Sequence, residues 1–288
     1  MNNEKHKLKQ IISPGKLVIA PGVYDLISVK IASQMNFDCL YMTGYGTVAS
    51  YLGLPDAGLA TMTDMNNRVA AFCNATGKPV ICDGDTGYGG LLNVAHTVRA
   101  YEKSGAAAIQ LEDQAFPKKC GHTPGRRVTP AADMVKKIRV AVDTRSNPDF
   151  LIIARTDART SLGLDEALRR GEQYARAGAD IIFIESPENE EEMWKIAKTI
   201  EKPLLINLVE TGRTPILPPA TLQEMGYAIA IYPALGFLAA GQALQNAYQH
   251  LATHHTSVGL EPMLYNFSDF NKLIGFPEIW EFEKKYAD

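Results

Sequence analysis

Short apolar or β-branched runs alternate with amphipathic stretches along most of the chain. Eight of the runs have strand character: Leu17–Ala20, Asp38–Thr43, Pro79–Asp83, Ala107–Glu112, Phe150–Arg155, Asp180–Glu185, Pro203–Asn207 and Tyr227–Tyr232. Between them, apolar residues recur at three- and four-residue spacing, as in Val94–Tyr101, Met134–Val142, Ala167–Ala177 and Met193–Ile200. That period marks one buried helix face. Thr129-Pro130, Leu164-Asp165-Glu166 and Pro187-Glu188-Asn189 are helix-start signals. Gly178-Ala179-Asp180 and Ser104-Gly105-Ala106 read as tight helix-to-strand turns. Strands apolar on both faces, each followed by a helix, belong to a parallel sheet. Eight such units in about 240 residues predict a closed (β/α)8 TIM barrel rather than an open sheet. No linker or low-complexity segment interrupts them, so one domain over 1–288 is expected, with a helical tail over about 255–288. Leu235–His250 and Phe267–Tyr286 continue the helical spacing beyond the last barrel strand. A tail this apolar needs a docking surface, on its own barrel or on a neighbour's.

Composition narrows the class. Of 288 residues, 46% are apolar, enough for a full core, and the formal charge of −3 offers no general attraction to nucleic acid or an anionic membrane. Cys39, Cys73, Cys82 and Cys120 show no paired spacing, which fits a reducing compartment better than a disulfide framework. Met1–Lys16 is polar and no apolar run is long enough to span a bilayer. A soluble cytoplasmic protein is expected.

Candidate chemistry collects where the predicted strands end, and in barrels of this kind the active site lies at the carboxyl ends of the strands. The second strand runs into Tyr41-Met42-Thr43-Gly44-Tyr45-Gly46, whose glycines let backbone amides approach a carboxylate. The third ends at Asp83-Gly84-Asp85, the fourth at Glu112, the fifth at Arg155, the sixth at Glu185 and the seventh at Asn207. Asp83, Asp85 and Glu112 offer only oxygen, which suits Mg2+ with its retained waters. His122 has no His or Cys companion, so zinc is disfavoured. Asp-Gly-Asp also reads as turn chemistry. Arg155 can capture a carboxylate or stabilise an enolate oxygen, or else pair with Glu185 or Asp157. Asp56, in a glycine- and proline-rich loop, reads equally as a helix cap or a site residue. After Glu112 and Asp113 the chain becomes a long basic loop, with Cys120 among Lys118, Lys119, His122, Arg126 and Arg127. Cationic neighbours lower a thiol's pKa, and a loop of this length reads as a moving lid.

These motifs resemble those of the isocitrate lyase / phosphoenolpyruvate mutase superfamily. Lys118-Lys119-Cys120-Gly121-His122 matches its signature. So do Leu111-Glu112-Asp113-Gln114, Asp83 through Gly89, Ala154 through Arg159, Ile231-Tyr232-Pro233 and Gly275-Phe276-Pro277-Glu278, covering almost the whole chain. The resemblance implies a barrel whose last helix is exchanged between protomers, a homotetramer built as a dimer of helix-swapped dimers, and Mg2+, for which Mn2+ can substitute. It implies Asp83, Asp85 and Glu112 as metal acids, and Thr43, Gly44 and Tyr45 as the keto-acid loop. Cys120 matches the catalytic cysteine of the lyases, Gly121 a substrate contact, and Arg155, Glu185 and Asn207 the pocket lining. Phosphonopyruvate-forming mutases carry no cysteine in the lid, so Cys120 points to the lyase branch. Methylisocitrate lyases carry arginines where this chain has Leu238 and Asn266. Losing two cations disfavours a tricarboxylate and favours a dicarboxylate of the alkylmalate type, such as 2,3-dimethylmalate. The alternatives are 2-methylisocitrate cleavage, oxaloacetate hydrolysis or decarboxylation, or a carboxyphosphonoenolpyruvate mutase-like reaction; a non-catalytic keto-acid-binding barrel would be expected to lose the lid acid, and Cys120 argues against it. The expected reaction is retro-Claisen cleavage: Tyr41 or a metal-shell carboxylate relays the hydroxyl proton, and Cys120, tuned by Lys118, Lys119 and His122, protonates the carbanion.

Overall fold

A computed structural model describes residues 8–121 and 125–287. Eight parallel strands close a barrel in chain order. They are β1 (Val18–Val23), β2 (Leu40–Met42), β3 (Val80–Asp83), β4 (Ala108–Glu112), β5 (Leu151–Thr156), β6 (Ile181–Ile184), β7 (Leu204–Asn207) and β8 (Tyr227–Tyr232). Closure comes from β1 against β8, with Val18 beside Ile229 and Pro21 beside Tyr232. All eight expected strands are present. β1 starts one residue later than expected and runs on through Pro21 and Gly22 to Val23.

Alternation along each strand builds two apolar layers. Ile81, Ala108, Ile153, Phe183, Leu205 and Ile229 point into the barrel and fill it. Their neighbours Val80, Cys82, Ile109, Ile152, Ile182 and Ile206 point outward under the helices. Burial on both faces is why these strands are apolar without a polar face.

The helices in chain order are α1 (Leu8–Ile11), α2 (Leu26–Gln34), α3 (Gly44–Leu52), α4 (Met62–Ala75), α5 (Leu91–Lys103), α6 (Ala131–Thr144), α7 (Ala158–Leu162), α8 (Leu164–Arg176), α9 (Glu190–Thr199) and α10 (Pro219–Met225). α11 (Leu235–His254), α12 (Phe267–Ile274) and α13 (Phe276–Tyr286) complete the set. Asn189 caps α9, accepting from the Glu192 amide, and Thr61 with Asp64 forms a capping box on α4. Gly105 and Gly178 turn the chain from helix to strand at φ of 92° and 107°, where any other residue would be strained.

The residues fall into two compact units, Met1–Gly236 with the barrel and Phe237–Asp288, which is helical. The stretch Phe267–Tyr286, expected as one helical run, is two helices. Gly275 takes a left-handed φ of 99° and ends α12, and Pro277 lies in the first turn of α13. Among the described residues no helix is long and apolar enough to cross a membrane.

α8 lies close on the barrel because Gly171 has no side chain. A Cβ there would meet Ile200 Cδ1 at 3.1 Å and Ile182 Cγ2 at 3.2 Å. Gly171→Val is therefore expected to lower unfolding free energy by about 1–3 kcal/mol in urea denaturation, through overpacking.

Candidate active site

Because all eight strands run the same way round a closed ring, their carboxyl ends share one rim. Asp83, Glu112 and Asn207 are the last residues of β3, β4 and β7, Arg155 is the penultimate residue of β5, and Glu185 follows β6. Glu112 and Arg155 are register partners. All five side chains are buried.

The acidic side of the rim is organised by one ammonium. Lys118 Nζ lies 2.5 Å from Asp56 Oδ1 and 2.5 Å from Asp85 Oδ1. Burial opposes the lysine's charge, but Asp85, Asp56, Glu112 and Asp83 outweigh it and hold its pKa well above the usual lysine range. Burial pushes Asp85 up to about 7 despite Lys118, with Asp83 and Asp56 adding repulsion. It raises Asp83 as well, and Glu112 well above the carboxylate range. Asp83 Oδ1 accepts from the Asp85 amide at 3.0 Å, so the turn chemistry expected of Asp-Gly-Asp is real and coexists with the acidic cluster. Asp56 is an ion-pair partner, not a helix cap.

Arg155 stands beside Glu112 on the adjacent strand. Its Nε and Nη2 donate to Asp157 Oδ2 and Oδ1, both at 2.9 Å, and Nη2 lies 3.2 Å from Glu185 Oε2. Glu112 Oε2 is 3.5 Å from Arg155 Nε, and the guanidinium carbon stands 5.1 Å from the Phe183 ring centroid. The two pairings weighed for Arg155 from sequence, Glu185 and Asp157, therefore both occur. Asn207 Nδ2 donates to Glu185 Oε2 at 3.1 Å.

The keto-acid loop expected at Thr43, Gly44 and Tyr45 is the start of α3. Thr43 is its N-cap residue but makes no side-chain cap bond. The first-turn amides of such a helix are a natural anion site. A Cβ on Gly44 would come within 2.5 Å of Asp83 Oδ2, so only glycine lets the helix start lie against that carboxylate. Tyr45 is partly exposed. Tyr41 turns inward, its hydroxyl donating to Gln110 Oε1 at 3.0 Å, and burial with Asp83 nearby drives its pKa well above 10. It stays a neutral phenol.

The loop after β4 is less free than its length suggests. Gln114 and Val128 form an antiparallel bridge, the Ala115 amide donates to Arg127 O at 2.8 Å, and the Thr129 amide to Asp113 O at 2.8 Å. Gln114 also clamps Lys119, accepting from its amide at 2.9 Å and donating to its carbonyl at 2.8 Å. Beyond this neck the lid reaches the rim. A Cβ on Gly121 would meet Arg155 Nη2 at 2.5 Å and Glu185 Oε2 at 2.8 Å, and Gly121 O accepts from Ser186 Oγ at 3.2 Å. Cys120, next to it, is partly exposed. His122 lies outside the described residues. Of the cations expected around the thiol, Lys118 pairs with Asp56 and Asp85, and Arg126 with Asp157 at 2.6 Å.

In the sequence Asp113 shows only as an acid leaving the strand. It is a buried anchor that accepts from Thr156 Oγ1, Arg170 Nη1, Tyr174 Oη and the Asp157 amide, at 2.7–2.9 Å. Its place directly after inward-facing Glu112 is the one local signal that it turns the other way. Gln110, which links Tyr41 to Asp83, is hidden within an apolar strand.

The rim fits a hard divalent cation. Its donors are oxygens, and Glu112 Oε1 is buried with no hydrogen-bond partner among the described residues. Among those residues no three acidic, histidine or cysteine side chains converge enough to hold an ion alone. An ion that keeps several waters and takes one or two carboxylates suits such a rim, whereas zinc does not.

Comparison with known proteins agrees with this geometry. The family model described as phosphoenolpyruvate phosphomutase matches residues 8–252. The chain is 52% identical over 285 residues to 2,3-dimethylmalate lyase of Eubacterium barkeri, covering 99% of each. It superposes on an oxaloacetate acetylhydrolase complexed with 3,3-difluorooxalacetate at TM-score 0.93, 34% identical, over 98% of this chain and 96% of that one. A phosphonopyruvate hydrolase solved with oxalate and Mg2+ superposes at TM-score 0.89, 29% identical, over 99% of each chain.

Gly121→Ala places a methyl group against Arg155 and Glu185. It should leave thermal stability near wild type while unseating the lid, seen as a rise of about threefold or more in the rate of Cys120 alkylation by iodoacetamide.

Proposed function

The chain belongs to the phosphoenolpyruvate phosphomutase family, and on that footing we propose that it is a Mg2+-dependent carbon–carbon lyase for a 2-hydroxy dicarboxylate of the alkylmalate type. The leading substrate is 2,3-dimethylmalate, cleaved to pyruvate and propionate. The observation that carries this reading is Cys120 on a lid whose next residue, Gly121, lies against Arg155 and Glu185 above a rim of buried carboxylates.

The choice of a dicarboxylate is supported by the two positions that lack a cation. Leu238 is apolar, and the Asn266 side chain is occupied as the N-cap of α12, accepting from the Ser268 and Asp269 amides. Neither supplies a partner for a third carboxylate, and an unpaired buried charge is costly.

Asp83, Asp85 and Glu112 would hold Mg2+, directly or through water. When bound, the ion supplies Lewis acidity that lowers the pKa of the substrate's 2-hydroxyl. The amides at the start of α3 orient the C1 carboxylate. A rim carboxylate or Tyr41, whose hydroxyl is oriented by Gln110, relays the hydroxyl proton. The C2–C3 bond breaks, its electron pair goes to C3, and pyruvate and the aci-carboxylate of propionate result. Arg155 and Asn207 stabilise the charge on that aci-carboxylate. The Cys120 thiol then gives its proton to C3, and the thiolate recovers a proton from solvent when the lid opens. Lys118, held protonated between Asp56 and Asp85, keeps the acids from repelling the dianionic substrate.

A homotetramer with exchanged terminal helices is the assembly we favour. It is supported by Phe267, Ile279, Trp280 and Phe282, each more than half exposed. Four free thiols support a cytoplasmic location.

The test is release of pyruvate and propionate from 2,3-dimethylmalate, assayed beside 2-methylisocitrate and oxaloacetate. Turnover of 2,3-dimethylmalate should be fastest and should stop in excess chelator; a metal-independent reaction, or preference for 2-methylisocitrate, refutes the assignment. Cys120→Ser should lower kcat by about a hundredfold or more with unchanged stability, as expected when a general acid is lost.

A further inference from the structure

Arg126 has no part in the chemistry above, yet its side chain is only 1% exposed. It lies on the returning arm of the lid, next to the neck residue Arg127. Nη1 donates to Asp157 Oδ1 at 2.6 Å, and Nη2 donates to Thr160 Oγ1 at 2.7 Å. The same Asp157 oxygen accepts from Arg155 Nη2, while Oδ2 accepts from Arg155 Nε. Asp157 is thus gripped by two guanidinium groups, one from the lid arm and one from the barrel. Arg155 also faces Glu112 and Glu185.

Charge accounting gives this arrangement a purpose. Without Arg126, Asp157 would draw on Arg155 alone, which also faces Glu112 and Glu185, and less of its charge would be left for an incoming anion. With it, one of those carboxylates is answered by a second cation. Building on the functional reading above, we propose that Arg126 is a positioning residue for Arg155, sharing Asp157 so that part of the Arg155 charge and its hydrogen-bonding capacity remain for the substrate carboxylate. The lid arm and the anion site are then coupled through a single carboxylate oxygen.

The test is oxalate binding in the presence of Mg2+, measured by calorimetry on the full-length protein, with steady-state kinetics on 2,3-dimethylmalate alongside. Arg126→Gln should raise the oxalate Kd and the KM by about tenfold or more while kcat changes by less than about threefold, the signature of lost ground-state binding. Arg126→Lys, which keeps the charge, should recover most of the affinity. Thr160→Val, which removes only the hydroxyl contact, should behave as wild type. In an Asp157→Asn background, Arg126→Gln should cost less than about twofold, because the carboxylate it answers is gone.

Wild-type affinity in Arg126→Gln overturns the inference, as does Arg126→Lys binding as poorly as Arg126→Gln, or full additivity with Asp157→Asn. If Arg126→Gln does not fold, the cycle is run with Arg126→Met, which also removes the charge, and additivity there overturns it equally. Wild-type protein that fails to bind oxalate with Mg2+ overturns the functional reading and this inference with it, which separates the two failures.

Discussion

The carboxyl rim of the barrel holds more negative charge than its own cations can answer. Asp56, Asp83, Asp85, Glu112, Asp157 and Glu185 are all buried there, facing Lys118, Arg126 and Arg155 among the described residues. In a low-dielectric site such a surplus is costly unless a cation joins it. Burial raises the pKa values of Asp83, Asp85 and Glu112, and like-charged neighbours add to the rise. The rest of the rim follows from that surplus. Glycine at 44 brings helix amides to the acids, and Lys118 bridges two carboxylates.

The imbalance also explains how the lid is held. Two of the three cations, Lys118 and Arg126, belong to the lid and flank Cys120 in sequence. Each reaches down to a carboxylate of the barrel unit, so the thiol's position depends on the charges beneath it. At the neck, backbone pairing between Gln114 and Val128 fixes where the lid leaves and returns. Asp113 then ties that neck to β5 and α8 through Thr156 and Arg170. Backbone pairing holds the root of the loop, and the ion pairs of Lys118 and Arg126 hold its two arms.

The barrel was legible in the sequence because its strands are buried on both faces, which leaves runs such as Ile181–Ile184 without any polar break. The rim was legible for a related reason: Asp83, Glu112, Arg155 and Asn207 stand where an apolar run stops, and parallel closure puts all such stops at one end. Which cation meets which acid was not legible. Lys118 meets Asp56 and Arg126 meets Asp157 across dozens of residues, and proximity of that kind belongs to the fold and not to any local pattern. Gln110 was hidden because a buried polar residue inside a strand looks like a flaw until its partners Tyr41 and Asp83 are seen. The break at Gly275 had a local signal, since glycine followed within two residues by proline ends one helix and starts the next.

The central claim, that the rim's charge surplus is a cation site, is tested most directly by counting Mn2+ bound to the purified chain from the loss of its free-ion electron paramagnetic resonance signal. One Mn2+ per chain, displaced by Mg2+ and lost in Asp85→Ala, is the predicted result. A free-ion signal unchanged by the wild-type protein, or equal binding by Asp85→Ala, would contradict it.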